Sequence, residues 1–217
     1  MKNIGADAAK LAGLQIDTLQ KIRNGQITLE HLEWFNKLNK AERDKLIGMN
    51  TVTDPHFSLL STFQFTVPEN YDHVTQLASF TKENREEFYH YDNITDANFA
   101  KASNKLIPGK TYEAKIFVIT KRVTSEECLE FLKTQKAILV GAQGISVVWQ
   151  QAKERFPKGK YTVSFDEKDA CWPDAYDSRR VPRVSLDSGG VWGFGLGYFG
   201  DVWRGGGCLL CLCDPSV

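Results

Sequence analysis

GGGCLLCLCDPSV, residues 205–217, is the stretch on which the fold turns. Three glycines lead into an uncharged apolar run, and Asp214-Pro215 close it. Reduced cysteine is among the most buried residue types and packs like a small hydrophobe. The run therefore reads as a buried strand. Strand side chains alternate between faces. Cys211 and Cys213 then share one face with Leu209, and Cys208 shares the other with Leu210 and Leu212. A buried strand implies a sheet, and the rest of that sheet must come from upstream.

Residues 111–165 supply its clearest parts. TYEAKIFVIT (111–120) alternates and is β-branched, as strands are. Thr124-Ser-Glu-Glu127 has capping-box spacing and opens a helix with Cys128, Leu129, Phe131 and Leu132 on its apolar side. AILVG (137–141) is a short apolar run that reads as another buried strand. GISVVWQQAKERF (144–156) reads as a helix broken by Pro157-Lys-Gly159, and KYTVSF (160–165) alternates again. VPRVSLD and VWGFGLGYF form a predicted hairpin around Asp187-Ser-Gly-Gly190. Within it Gly193, Gly195 and Gly197 alternate with bulky residues, which leaves one strand face bare. STFQFTVP ends a further strand at Pro68, and Thr95 or Asp96 can cap a helix bearing Phe99 and Ala102.

The start of the chain reads differently. Residues 6–50 carry helical signals throughout. Leu11, Leu14, Leu19 and Ile22 form a stripe that ends at Asn24-Gly25. Thr28 can cap a second helix carrying Leu29, Leu32 and Trp34 or Phe35. Asn39 and Glu42 frame a third, with Leu46 and Ile47. The expected architecture is α+β: a helical segment over 1–50, then a core domain over 51–217 holding a mixed sheet, two packed helices and a closing antiparallel hairpin.

Composition narrows the function classes. The 217 residues carry 27 basic and 27 acidic side chains, so the net charge is zero. Nucleic-acid and anionic-membrane partners call for a basic excess that is missing. A neutral chain is free to self-associate, so a homo-oligomer stays open. No apolar run is long enough to span a bilayer, and the first residues lack the apolar core of a signal peptide. Five cysteines, three of them in the last ten residues, do not suit a secreted disulfide framework, so the expected compartment is the cytoplasm.

Several stretches resemble, as a set, a family of bacterial proteins to which no activity is attached: GQITLEHLEWFNKL, YDHVTQLASF, TSEECLEFLKTQKAILVGAQG, YTVSFDEKDACW and GGGCLLCLCD. The resemblance covers most of the chain. It implies that the helical start and the α/β remainder form one recurring unit, and it brings no cofactor or catalytic residue.

The residues themselves offer few assembled chemistries. Gly141, Gln143 and Gly144 lie where a strand would meet a helix, and amides at such a turn attract anions. The lysine of a P-loop and the third glycine of a dinucleotide fingerprint are absent. Asp166 and Glu167 follow a strand end and could do acid/base work with that turn. His73 lies beside Asp72, but no serine or cysteine occupies a nucleophile elbow. A zinc site wants four ligands, and Cys171 is the thiol that would have to join Cys211 and Cys213. Trp172, Tyr176, Trp192, Phe194, Tyr198, Phe199 and Trp203 make either a stacking platform or a core layer.

The leading expectation is a cytoplasmic, non-enzymatic binding protein whose partner is a protein or small ligand and which needs no cofactor. Two other readings stay open. One is a small enzyme with its site between the 141–144 turn and the 166–169 acidic loop. The other is a DNA-linked regulator that uses the N-terminal helices.

Overall fold

The computed structural model describes residues 18–25, 28–39 and 54–215. The chain divides into two compact units, residues 1–53 and 54–217.

In the first unit, residues 18–23 are helical and stop at Gly25, whose φ of 70° is the left-handed conformation of a helix end. Helix α1 is Leu29–Lys37. The Thr28 hydroxyl accepts from the His31 amide at 3.3 Å, as an N-cap does. Leu19, Leu29 and Trp34 are exposed. The expected third helix, with Leu46 and Ile47, lies outside the described residues.

The second unit is built on strands β1 (Phe57–Thr66), β2 (Phe88–His90), β3 (Thr111–Ile119), β4 (Val123–Thr124), β5 (Tyr161–Val163), β6 (Arg180–Leu186), β7 (Trp192–Tyr198), β8 (Val202–Trp203) and β9 (Cys208–Cys213). Its helices are α2 (Gln76–Glu83), α3 (Ser125–Thr134) and α4 (Gly141–Ala152). Seven strands make one mixed sheet in the order β1-β3-β9-β5-β6-β7-β2, and β4 pairs with β8 separately. The pairs β9–β5 and β7–β2 are parallel; the rest of the sheet is antiparallel. The fold is therefore α+β with a mixed sheet.

The last strand in sequence sits inside the sheet. Cys208 lies opposite Val118 on β3 and Thr162 on β5. All six β9 residues are buried. Their side chains split by parity: Cys208, Leu210 and Leu212 enter one core, and Leu209, Cys211 and Cys213 enter the other. The first core holds α2 and α4, including Phe80, Ile145 and Trp149. The second holds Cys128, Leu129, Phe131 and Leu132 of α3. Each fully buried leucine contributes about 1.5–3 kcal/mol, so β9 anchors both layers at once.

The glycines before β9 allow close approach. A Cβ on Gly205 would lie 3.1 Å from the Thr120 carbonyl oxygen, and one on Gly207 would enter the Tyr161 ring. Gly206 has φ of 102°, a conformation that a side chain would strain.

Local signals formed the elements where local chemistry sufficed. The Thr124 hydroxyl accepts from the Glu127 amide at 3.2 Å, and Glu127 accepts from the Thr124 amide at 2.7 Å, completing the capping box of α3. The 187–190 hairpin joins β6 and β7 as expected. Two expectations fail. Residues 137–140 form no strand. Lys136 and Gly141 bracket them with φ of 54° and 52°, and one sheet-like bond forms, from the Ile138 amide to the Leu212 carbonyl at 2.7 Å. Residues 96–101 are turns rather than a helix. The Asp96 carboxylate instead accepts from the Leu77 and Ala78 amides, at 2.9 and 3.0 Å, and so caps α2 from a distant loop.

A chain truncated after Gly207 should not fold, because β3 and β5 lose their common neighbour. Leu210→Ala should cost about 2–5 kcal/mol through transfer and cavity terms. Urea unfolding followed by circular dichroism checks both; a stable, folded truncated chain would contradict the central role of β9.

Candidate functional site

The sequence pointed first to the 141–144 turn and Asp166, and the fold brings Gly141 and Asp166 together. The Gly141 amide donates to the Phe165 carbonyl at 3.2 Å. A Cβ on Gly141 would lie 3.1 Å from Asp166 Oδ2. Asp166 Oδ1 accepts from the Ser103 and Glu167 amides, each at 2.9 Å. Asp166 is 6% exposed. Burial raises its carboxyl above the ordinary aspartate range, against the bonds from Ser103 and Glu167 that favour the charged form.

The other expected partners point elsewhere. Gln143 is buried and donates to the Phe99 carbonyl at 3.0 Å, while its Oε1 meets no hydrogen-bond donor. The Gly144 position is filled to contact by the Val140 side chain. Glu167 is exposed. Asn104 donates to the Leu139 carbonyl at 2.9 Å, tying the 99–104 segment to the residues before α4.

His73 is 8% exposed and its Nδ1 lies 2.8 Å from the Tyr71 hydroxyl. Burial lowers its pKa, with Lys105 adding to the effect. Its Nε2 is buried without a partner. All five cysteines are free and buried. Cys171 Sγ lies 3.9 Å from the Asp166 carbonyl oxygen, whereas Cys211 and Cys213 lie 3.6 Å from each other. Among the described residues, no three His, Cys, Asp or Glu side chains converge on one metal position.

Most of the aromatic set is core. Trp172, Trp192 and Phe194 pack in the first cluster, and Phe199 and Trp203 in the second. Trp203 Nε1 donates to the Ser125 hydroxyl at 2.9 Å. Tyr176 is exposed, and Tyr198 carries the Arg180 guanidinium 3.5 Å from its ring centroid.

The hairpin hides a different feature. Gly193, Gly195 and Gly197 on β7 pair with Ser185, Arg183 and Val181 on β6, so all six positions share one sheet face. The Trp203 ring covers Gly197. Beyond it the face stays open, with Arg183 Nε 3.7 Å from the Cβ position of Gly195 and Ser185 Oγ 3.7 Å from that of Gly193. An open groove of about 750 Å³ runs here, lined by Lys158, Lys160, Tyr161, Arg183, Ser185 and Asp187, among others.

No family model, curated protein or solved structure matches the chain.

The groove is locally basic in a neutral chain. Among the described residues, Lys158, Lys160 and Arg183 form no ion pair. Arg183 lies over the Tyr161 ring at 5.6 Å. Asp187, the acid that lines the groove, is tied into the hairpin, where its Oδ1 accepts from the Val191 amide at 2.9 Å. The neighbouring arginines are engaged: Arg180 by Asp174 through Nε at 3.0 Å, and Arg179 by the Cys171 carbonyl at 2.9 Å. Tyr161 is held by the glycine run, since its ring lies against Gly207 and its hydroxyl accepts from the Arg204 amide at 3.4 Å.

The burial of Asp166 makes stability depend on pH. Its raised native pKa means the folded state holds the proton more tightly than the unfolded state. Its contribution is most favourable at acid pH and is lost as pH rises through the native value. Asp166→Asn should remove that loss, leaving stability flatter above the ordinary aspartate range than in the parent. Chemical denaturation from pH 3 to 8 measures this; parallel profiles would show that Asp166 is not the group responsible.

Proposed function

We propose that this chain is a non-enzymatic binding protein of the bacterial cytoplasm whose groove captures a small anionic molecule bearing phosphate or carboxylate groups. The observation that carries the reading is the trio Lys158, Lys160 and Arg183, without an ion-pair partner among the described residues and gathered around one open groove. Cations converging beside a low-dielectric wall focus positive potential into the space between them. A guanidinium held over an aromatic ring presents a planar donor edge suited to two-point contact with phosphate or carboxylate.

The enzyme reading loses support at the 141–144 turn. Its three polar side chains do not converge: Gln143 is turned to Phe99, Glu167 faces solvent, and Asp166 Oδ1 is engaged by the Ser103 and Glu167 amides. The regulator reading rests on a third helix that lies outside the described residues. Five free thiols agree with a reducing compartment.

Calorimetric titration of the full chain with pyrophosphate should give saturable binding that weakens as salt rises. Arg183→Ala and Lys160→Ala should each weaken it about 10-fold, or about 1.4 kcal/mol, while Asp166→Asn leaves it unchanged. Binding that ignores salt, or that survives loss of both cations, would refute the groove as the site.

A further inference from the structure

Cys211 and Cys213 are the one pair of thiols in contact among the described residues, with Sγ atoms 3.6 Å apart on the same face of β9. The ladder with β3 puts Lys115 opposite Cys211 and Glu113 opposite Cys213. Lys115 Nζ lies 3.0 Å from Glu113 Oε1, and the two side chains are 24% and 13% exposed. Cys213 Sγ also approaches the Gln135 carbonyl oxygen, just past α3, at 3.5 Å. The same face is otherwise apolar, with Phe117, Leu132 and Leu209 in its core. Two thiols and a charge pair form a polar island there.

That donor set selects its ligand. Hard cations take oxygen ligands and would leave the sulfurs idle. Zinc requires four ligands, and no third His, Cys, Asp or Glu among the described residues converges on this pair. Paired thiolates with nothing further suit a soft cation of low coordination number.

The geometry points to Cys211 and Cys213 as a two-thiolate site for one soft monovalent cation of the Cu(I) class. Both thiol protons pass to solvent, two sulfur–metal bonds form, and no electron is transferred: Cu⁺ + 2 RSH → [Cu(SR)₂]⁻ + 2 H⁺. The complex carries one negative charge, and the Lys115 ammonium on the facing strand, shared with Glu113, lies beside it. Cys213 is the point of entry, being 7% exposed against 1% for Cys211. This site lies apart from the anion groove in its lining residues, and neither depends on the other.

The test uses the reduced full-length chain without oxygen, with Cu(I) supplied as its bicinchoninate complex. The chain should withdraw one Cu(I), with a thiolate-to-copper absorption in the near ultraviolet. Cys211→Ser and Cys213→Ser should each weaken retention roughly 100-fold, and Lys115→Met roughly 10-fold with unchanged stoichiometry. Cys208→Ser should have no effect on copper retention. A second measurement needs no variant: alkylation mapped by mass spectrometry in mild denaturant should show copper shielding Cys211 and Cys213 and no other cysteine. A parent chain that leaves all copper with the chelator, or equal alkylation with and without copper, overturns the site.

Discussion

Double burial of β9 is the constraint on which the rest of the structure depends. A strand with both faces covered, paired with β3 along its whole length and with β5 at Cys208 and Leu209, must place every side chain in a core. CLLCLC meets that demand because none of its side chains carries a charge. Its two faces feed two clusters, so one segment fixes where α3 packs and where α2 and α4 pack. β3 and β5 are adjacent only through it. The helical layers on opposite faces of the sheet are in this sense coupled through six residues.

Close approach at glycine is the second recurring device, and it connects the core to the groove. The Tyr161 ring rests where Gly207 has no side chain, and Trp203 rests in the same way over Gly197. Trp203 turns its indole N–H to Ser125, while Tyr161, its ring centroid 6.2 Å from that of Trp203, lines the groove and carries Arg183 above its ring. The glycines that precede β9 therefore do more than end a loop. They hold one wall of the proposed binding surface in place.

What could be read in the sequence was whatever local chemistry decided. The Thr124–Glu127 box, the 187–190 turn and the face parity of β9 each depend on residues within a few positions of one another. The failures share the opposite property. AILVG has the composition of a buried strand, but it lies between positive φ values at Lys136 and Gly141 and joins the sheet through a single bond, from the Ile138 amide to the Leu212 carbonyl. Asp96 has the chemistry of a cap, but the amides it serves belong to α2, brought near by folding. The groove was hidden for the same reason. Lys158 and Lys160 precede β5, Arg183 lies on β6, and only the pairing of Tyr161 with Ser185 makes them neighbours. Charge counted along the chain balances, so the local excess surfaces only once the register is known.

The placement of β9 also says something about time. Its partners were made long before it: Val118 and Thr162 both lie far upstream of Cys208. Hairpins such as β6–β7 close short loops and can form early, but joining them across β9 closes long ones, which is entropically slow. Until that strand arrives, β3 and β5 each present an unsatisfied edge beside exposed apolar side chains, the condition under which chains pair with the wrong neighbour. The strand that organises the finished molecule is thus the one whose delay leaves the unfinished molecule most vulnerable.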